Sequence, residues 1–215
     1  MTQPTAIGVL DLQGGVQEHL DHLRRIGVVG KAVKQVDDFN HLAGLIIPGG
    51  ESTCLARLLK IFSLHDVIVR EYQRGLKLWG TCAGAILLAQ ENSGDTAYLG
   101  LIDIAVQRNA FGSQLDSFQC HANVPRVSPD PVPLTFIRAP KITRVGVGVS
   151  ELIRINDYVA AAEDEQTLVT VFHPELTSCL AFHRYFAKKC GLLPTVETDI
   201  DTTWERQAWM GAAPG

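Results

Sequence analysis

The stretch Leu76 to Ala89, LKLWGTCAGAILLA, leaves a chain few ways to fold. Leu76 to Trp79 is a short apolar run of the kind that forms a buried strand. Gly80 to Gly84 is a tight turn, and Ala83 to Gln90 has helical character. A strand that turns sharply into a helix with cysteine at the tip is a nucleophile elbow. The G-x-C-x-G spacing has a steric cause, since a nucleophile on such a turn leaves no room for side chains two residues either side. Cys82 would sit at a helix N-terminus, where unpaired N–H groups favour thiolate over thiol. On this stretch alone, a buried structural cysteine is as good a reading as a nucleophile.

Around the elbow, strands and helices alternate. Ala6 to Leu12 is a β-rich run ending at Gln13-Gly14-Gly15, and Val16, Leu20, Leu23 and Ile26 then recur at helical spacing. Lys31 to Val36 and Leu42 to Ile47 are further strands, the second ending in Pro48-Gly49-Gly50. Ser52 or Thr53 is placed to cap a helix through Leu55, Leu58 and Leu59, and Asp66 to Arg74 is helical. After the elbow, short strands are expected at Leu99–Val106, Val132–Ile137, Val147–Ile155 and Tyr158–Ala162. Pro125, Pro129, Pro131, Pro133 and Pro140 break their connections, which predicts antiparallel pairs. Leu168–Phe172 is one more apolar strand, and Ser178–Lys189 is a closing helix. The expectation is one α/β domain over residues 1–192, then a polar, acidic tail at 193–215 that reads as disordered.

In a parallel α/β sheet, ligands bind outside the carboxyl ends of the strands. Gln13-Gly14-Gly15, Gly49 to Ser52, Thr81 to Ala83 and His173 to Glu175 all fall at such ends. Together they supply a thiol, an imidazole, a carboxylate and free N–H groups, which is a catalytic kit. In an extended chain His173 and Glu175, two apart, face the same way, and Pro174 favours that conformation. Glu175 would then orient the imidazole, leaving its other nitrogen for Cys82. The N–H of Ala83 and one from the Gly49-Gly50 turn are the natural oxyanion donors. His19 and His22, three apart on the first helix, read as a solvated face rather than a metal pair. Cys179 with His183 is an equally weak ligand set, so no metal is expected.

Bulk properties narrow the partners. The net charge of −4 is dispersed, giving no basic footprint for nucleic acid or an anionic membrane. The five cysteines contain no C-x-x-C pair, which fits a reduced, cytoplasmic compartment. No apolar run approaches the roughly 18 to 20 residues needed to span a bilayer.

GTCAG with a distal HPE resembles the triad-type (class I) glutamine amidotransferases. The strings GVLDLQGG (Gly8 to Gly15), IIPGGEST (Ile46 to Thr53), QRNAFGSQLDSF (Gln107 to Phe118), FIRAP (Phe136 to Pro140) and FHPEL (Phe172 to Leu176) are similar to those of glutaminase subunits of pyridoxal 5'-phosphate synthase, the PdxT/SNO family. The resemblance covers Ile7 to about Leu192 in order. It implies a three-layer, flavodoxin-like class I fold, with a mostly parallel central sheet, helices on both faces and a small antiparallel addition. It also implies hydrolysis of L-glutamine to L-glutamate and ammonia through a γ-glutamyl thioester, with Cys82 as nucleophile and His173 and Glu175 completing a triad.

By the same resemblance, Gly50, Glu51 and Ser52 line the glutamine site and oxyanion hole, and Arg108, Ile137 and Arg138 contact glutamine. Gln13 assists the oxyanion turn and senses the partner, a (β/α)8-barrel synthase subunit in a large hetero-oligomer. No cofactor is implied. Cys54, where a second Thr is usual, Gln107, where an acid is common, the Thr143–Asp157 stretch and the tail all depart from the pattern. Rival readings are a glutaminase serving another synthase, a cysteine hydrolase or chaperone-like protein of similar fold, and a catalytically inactive scaffold subunit.

Overall fold

The computed structural model describes residues 5–93, 97–108 and 117–195. Most of the Gln107–Phe118 motif and nearly all of the tail lie outside the described residues. Among those described, no helix is long and apolar enough to cross a membrane.

Strands β1 (Ala6–Leu10), β2 (Val29–Val33), β3 (Leu42–Ile47), β4 (Lys77–Thr81) and β12 (Thr167–Thr170) form the parallel half of a ten-stranded sheet, in the order β2-β1-β3-β4-β12. β1, β3 and β12 are buried throughout, as the continuous apolar runs of a doubly covered parallel sheet require. The sheet continues through β11 (Tyr158–Glu163), β9 (Lys141–Val145) and β6 (Ile102–Gln107) in antiparallel pairing, then to β5 (Ala89–Asn92) at the edge. β10 (Ser150–Ile155) pairs with β11 off this path. A separate antiparallel ribbon joins β7 (Phe118–Ala122) to β8 (Val132–Phe136).

The helices are α1 (Val16–Arg25), α2 (Ser52–Ile61), α3 (His65–Gln73), α4 (Ala83–Leu88) and α5 (Ala181–Lys189). α1 and α5 meet over fully buried Trp79, whose ring contacts His19, Phe182, His183 and Phe186. On the next residue of β4, a β-carbon at Gly80 would stand 2.5 Å from Gly84 of α4. Because successive strand side chains point to opposite faces, α4 lies on the other side of the sheet from α5.

Several local expectations are corrected. The elbow helix stops at Leu88 rather than Gln90 because Ala89 enters β5 and pairs with Ile102. The strand expected from Val147 begins at Ser150, and Val147 is exposed on the preceding turn. β5, β7 and β9 were not legible as strands. Neither Ser52 nor Thr53 caps α2; Glu51 does, its carboxylate accepting the N–H groups of Thr53 and Cys54 at 3.1 and 2.6 Å. His19 and His22 are not a solvated face, for both are fully buried. Helical periodicity puts His19 on the same side of α1 as Leu23 and Ile26, against Trp79 and α5.

Candidate active site

Register brings the four loops to one edge. Ile46 pairs with both Val9 and Trp79, and Ile47 with Gly80, while Thr170 pairs with Thr81, so β1, β3, β4 and β12 end side by side. The pairing runs one residue past β4, where the N–H of Cys82 donates to Thr170 O at 2.8 Å. Three residues after Thr170 comes His173, whose N–H donates to Thr135 O of β8 at 2.8 Å. A thiol and an imidazole far apart in sequence therefore meet because their strands are neighbours.

Cys82 has φ 48° and ψ −106°, outside the regions that L-residues ordinarily occupy. Such strain costs on the order of 1–3 kcal/mol and persists only where surroundings enforce it. Here the enforcement is steric, since a β-carbon on Gly84 would stand 2.0 Å from Ile47 O. The helix beyond the elbow is thereby pressed against β3.

The imidazole of His173 and the side chain of Cys82 stand side by side against Gly49 at the cleft, and Nδ1 of the ring meets Glu175 Oε1 at 2.7 Å. With Nδ1 committed to Glu175, Nε2 is the nitrogen left for sulfur. The segment is not extended, as the spacing had suggested. Pro174–Leu176 is a turn of 3-10 helix with proline at its start, and His173 stands just outside it at φ −109°, ψ 86°. Proline's fixed φ suits the first position of such a turn, and the turn swings Glu175 back beneath the ring. Glu175 is 1 % exposed.

Burial disfavours an imidazolium at His173, but Glu175 and the Cys82 sulfur outweigh it and hold its pKa well above the ordinary histidine value. Burial would raise the carboxyl of Glu175, yet His19 and His173 hold it below its ordinary value. His19 is itself pushed down to about 4, chiefly by burial. At neutral pH it is therefore an uncharged neighbour, and the charge that keeps Glu175 ionised comes from His173.

A cleft of about 510 Å3 opens above Cys82 and His173. Its walls include Gln13, Gly50, Glu51, Ser52, Ala83, Arg108, Ile137 and Arg138. A larger hollow of about 710 Å3 beside α5 has no thiol or imidazole on its walls.

Gln13 Oε1 accepts the N–H of Glu51 at 2.8 Å. A β-carbon on Gly14 would stand 2.0 Å from Gly49 O, so that carbonyl faces the Gln13-Gly14 turn. The N–H of Gly50, across the same trans peptide, faces away from it. Gly50 adopts φ 149°, which favours glycine. Arg108 reaches Glu51 Oε1 at 3.4 Å, Thr53 Oγ1 at 3.2 Å and the Tyr98 hydroxyl at 3.4 Å. The Cys54 and Thr53 N–H groups hold the Glu51 carboxyl below the usual carboxylate range. Arg138 is exposed and, unusually for a non-glycine residue, has φ 44°.

Sequence reasoning missed His19 and His183, which lie directly under the site. The available signal was the position of His19 in the apolar stripe of α1. Among the described residues, no group of three or more His, Cys, Asp or Glu is placed to hold a metal ion.

Residues 9–192 match the SNO glutamine amidotransferase family. The pyridoxal 5'-phosphate synthase subunit PdxT of Syntrophus aciditrophicus (strain SB) is 58% identical over 211 residues, covering 97% of this chain and 94% of that protein. The subunit of the same name from Clostridium botulinum (strain Loch Maree / Type A3) is 48% identical over 185 residues, 85% of this chain and 96% of that one. The crystal structure of a glutamine amidotransferase superposes with a TM-score of 0.82 at 39% identity, over 87% of this chain and 100% of that chain. PurLQS from Thermotoga maritima shares the fold, with a TM-score of 0.59 at 14% identity over 88% of this chain and 96% of that one.

Proposed function

The chain belongs to the SNO glutamine amidotransferase family, and from that premise we propose that it is the glutaminase of a pyridoxal 5'-phosphate synthase. In this proposal it hydrolyses L-glutamine to L-glutamate and ammonia, and ammonia passes to a (β/α)8-barrel synthase subunit within a hetero-oligomer. The observation that carries the chemistry is one imidazole that stands beside a thiol at the cleft and meets a buried carboxylate, Glu175, at 2.7 Å.

The Cys82 thiolate attacks the side-chain carboxamide carbon of glutamine, and the carbonyl electron pair moves onto oxygen. The N–H groups of Ala83 and Gly50 receive that oxyanion, a contribution typically worth about 3 kcal/mol per donor. His173 gives its Nε2 proton to the amide nitrogen as the carbon–nitrogen bond breaks, so ammonia leaves and a γ-glutamyl thioester remains. The same nitrogen takes a proton from water, hydroxide attacks the thioester, and glutamate departs with return of the thiolate. Glu175 keeps the ring in the required tautomer throughout.

Arg108 and Arg138 stand at the cleft with guanidinium groups suited to the substrate's α-carboxylate. Glu51 and Ser52 line the same cleft, with Ile137 supplying apolar contact. Gln13 reports docking of the synthase through its bond to the Glu51 N–H. A cytoplasmic setting fits a chain with five free cysteines.

The test is ammonia and glutamate release from glutamine, with and without the barrel subunit, in the native chain and in Cys82→Ala. The native complex should turn over and the variant should not. Equal turnover with and without the subunit would refute the coupling. Assembly without adduct formation on Cys82, on exposure to a glutamine-mimicking electrophile, would point to the inactive scaffold instead.

A further inference from the structure

The Glu175 carboxylate has two oxygens, and His173 uses one of them. Oε2 of Glu175 and Nε2 of His19 face each other at 3.5 Å, both buried and neither with a hydrogen bond. The opposite nitrogen of His19, Nδ1, meets Nε2 of His183 at 2.9 Å. The remaining nitrogen of His183, Nδ1, is buried and without a partner. A neutral imidazole carries one N–H and one lone pair, so the two rings have two possible proton arrangements. In one, His183 Nε2–H donates to His19 Nδ1, and His19 carries its proton on Nε2, the atom 3.5 Å from the carboxylate. The other would set a lone pair against the carboxylate and bury an unsatisfied N–H on His183, both costly. The first is therefore selected.

We propose that His19 is a positioning residue for the reaction of Cys82: its imidazole, pinned by His183, holds the second oxygen of Glu175 and so fixes the angle at which the first meets His173. This rests on the triad assigned above. His19 stays a neutral donor because burial has pushed it down to about 4. The titratable and charged groups around it are Glu175 and His173 from the turn after β12, Glu18, His22 and Arg25 from α1, and His183 from α5. His22 is committed elsewhere, with Nδ1 at 2.9 Å from Glu18 O and Nε2 at 2.8 Å from Thr177 O. Trp79 closes the remaining side, its ring 5.7 Å from that of His19 and 4.9 Å from that of His183.

The experiment is the pH profile of kcat/KM for glutamine in the complex with the synthase subunit, for the native chain, His19→Gln and His19→Met. Without the donor, a buried carboxylate is harder to ionise, so His19→Met should raise the acidic limb by about one pH unit. A loosened triad should also lower kcat roughly tenfold to hundredfold with KM little changed. His19→Gln returns an amide N–H near the same place and should bring the limb back toward native. A uniform loss in His19→Met with the limb unmoved, or a glutamine variant no better than methionine, overturns the proposal.

If His19→Met does not fold, His183→Met is measured in its place, where His19 remains but loses its pin. There a raised limb supports the proposal and a native limb overturns it. Cys82→Ala separates the two levels: persistent ammonia release in it removes the triad, whereas abolished release beside a native profile in His19→Met removes only the role of His19.

Discussion

The side-chain carbonyl of Gln13 accepts the N–H of Glu51 at 2.8 Å, tying the loop after β1 to the glycine turn after β3. The fit is close, because a β-carbon on Gly50 would stand 2.6 Å from the same oxygen. The bond fixes the Gly50-Glu51 peptide, and with it the end of the glycine turn, through a residue that need not touch substrate. Gln13→Ala frees the Gly50-Glu51 peptide and loosens the adjoining Gly50 N–H, and losing an aligned oxyanion donor lowers kcat by about 10^2 to 10^3. A partial loss, roughly tenfold to hundredfold in kcat with little change in KM, is expected in steady-state assays of the complex. Unchanged kcat would mean that the turn holds itself.

The elbow is strained because two backbones are pressed together. A β-carbon at Gly84 would lie 2.0 Å from Ile47 O, and one at Gly80 would lie 2.5 Å from Gly84. Neither neighbour is a flexible side chain, so Gly84→Ala must displace α4 from β3. Overpacking of this kind costs about 1–3 kcal/mol. We expect a urea midpoint lowered accordingly, together with loss of activity as Cys82 moves. Gly75→Ala is a useful contrast: its β-carbon would meet nothing within 4 Å, and only its φ of 105° resists substitution.

Much of the site was legible because its determinants are local. Glycines flank the thiol at fixed offsets, proline and two glycines end β3, and histidine and glutamate are two residues apart after β12. What sequence does not carry is lateral order. Nothing local says that β12 lies beside β4, yet that adjacency brings Cys82 to Thr170 and so to His173. The β7–β8 ribbon was half hidden by its prolines, although Thr135 within it anchors His173 and Ile137 and Arg138 follow from its end. His19 was misplaced because histidine is polar on any local scale, while the partner that makes its burial tolerable, His183, is 164 residues away. The cap of α2 was misassigned for a related reason, since Glu51 reaches N–H groups usually taken by shorter side chains.

Glu51 has two jobs that one substitution separates. It caps α2, and it receives Arg108 at 3.4 Å while Thr53 holds the same guanidinium at 3.2 Å. Glu51→Ala removes the cap at a cost of about 1 kcal/mol. The carboxylate is half-exposed, so its ion pair with Arg108 adds little to stability. The second effect should be on substrate. Without Glu51, Arg108 keeps its bonds to Thr53 and Tyr98 but loses its ionic partner, so its fork is aimed less firmly at the cleft and KM for glutamine should rise modestly, about twofold to threefold. Glu51→Asp, a strong cap with a shorter reach, should keep the native midpoint while KM falls between native and alanine.

Stability should depend on pH through the histidines beneath the site. His19, His22 and His183 are held below the ordinary value of 6.5, mainly by burial, His19 as low as about 4. As pH falls through 6.5, the unfolded chain takes up protons that the folded protein refuses, so their contribution is complete above 6.5 and is lost as pH drops toward the folded values. Each such group adds a slope of up to roughly 1.4 kcal/mol per pH unit in that window. Glu175 acts in the same direction at lower pH, its contribution being lost as pH falls through its lowered value. His173 acts oppositely: with its folded pKa raised, its contribution is full below 6.5 and fades as pH climbs through the raised value. The urea midpoint should therefore be highest near neutrality and decline steeply from pH 6.5 toward pH 4. In His183→Met, one buried base is gone, and the acid slope should flatten by about one proton. An unaltered slope in that variant would mean that His183 protonates in the folded protein as readily as in the unfolded chain.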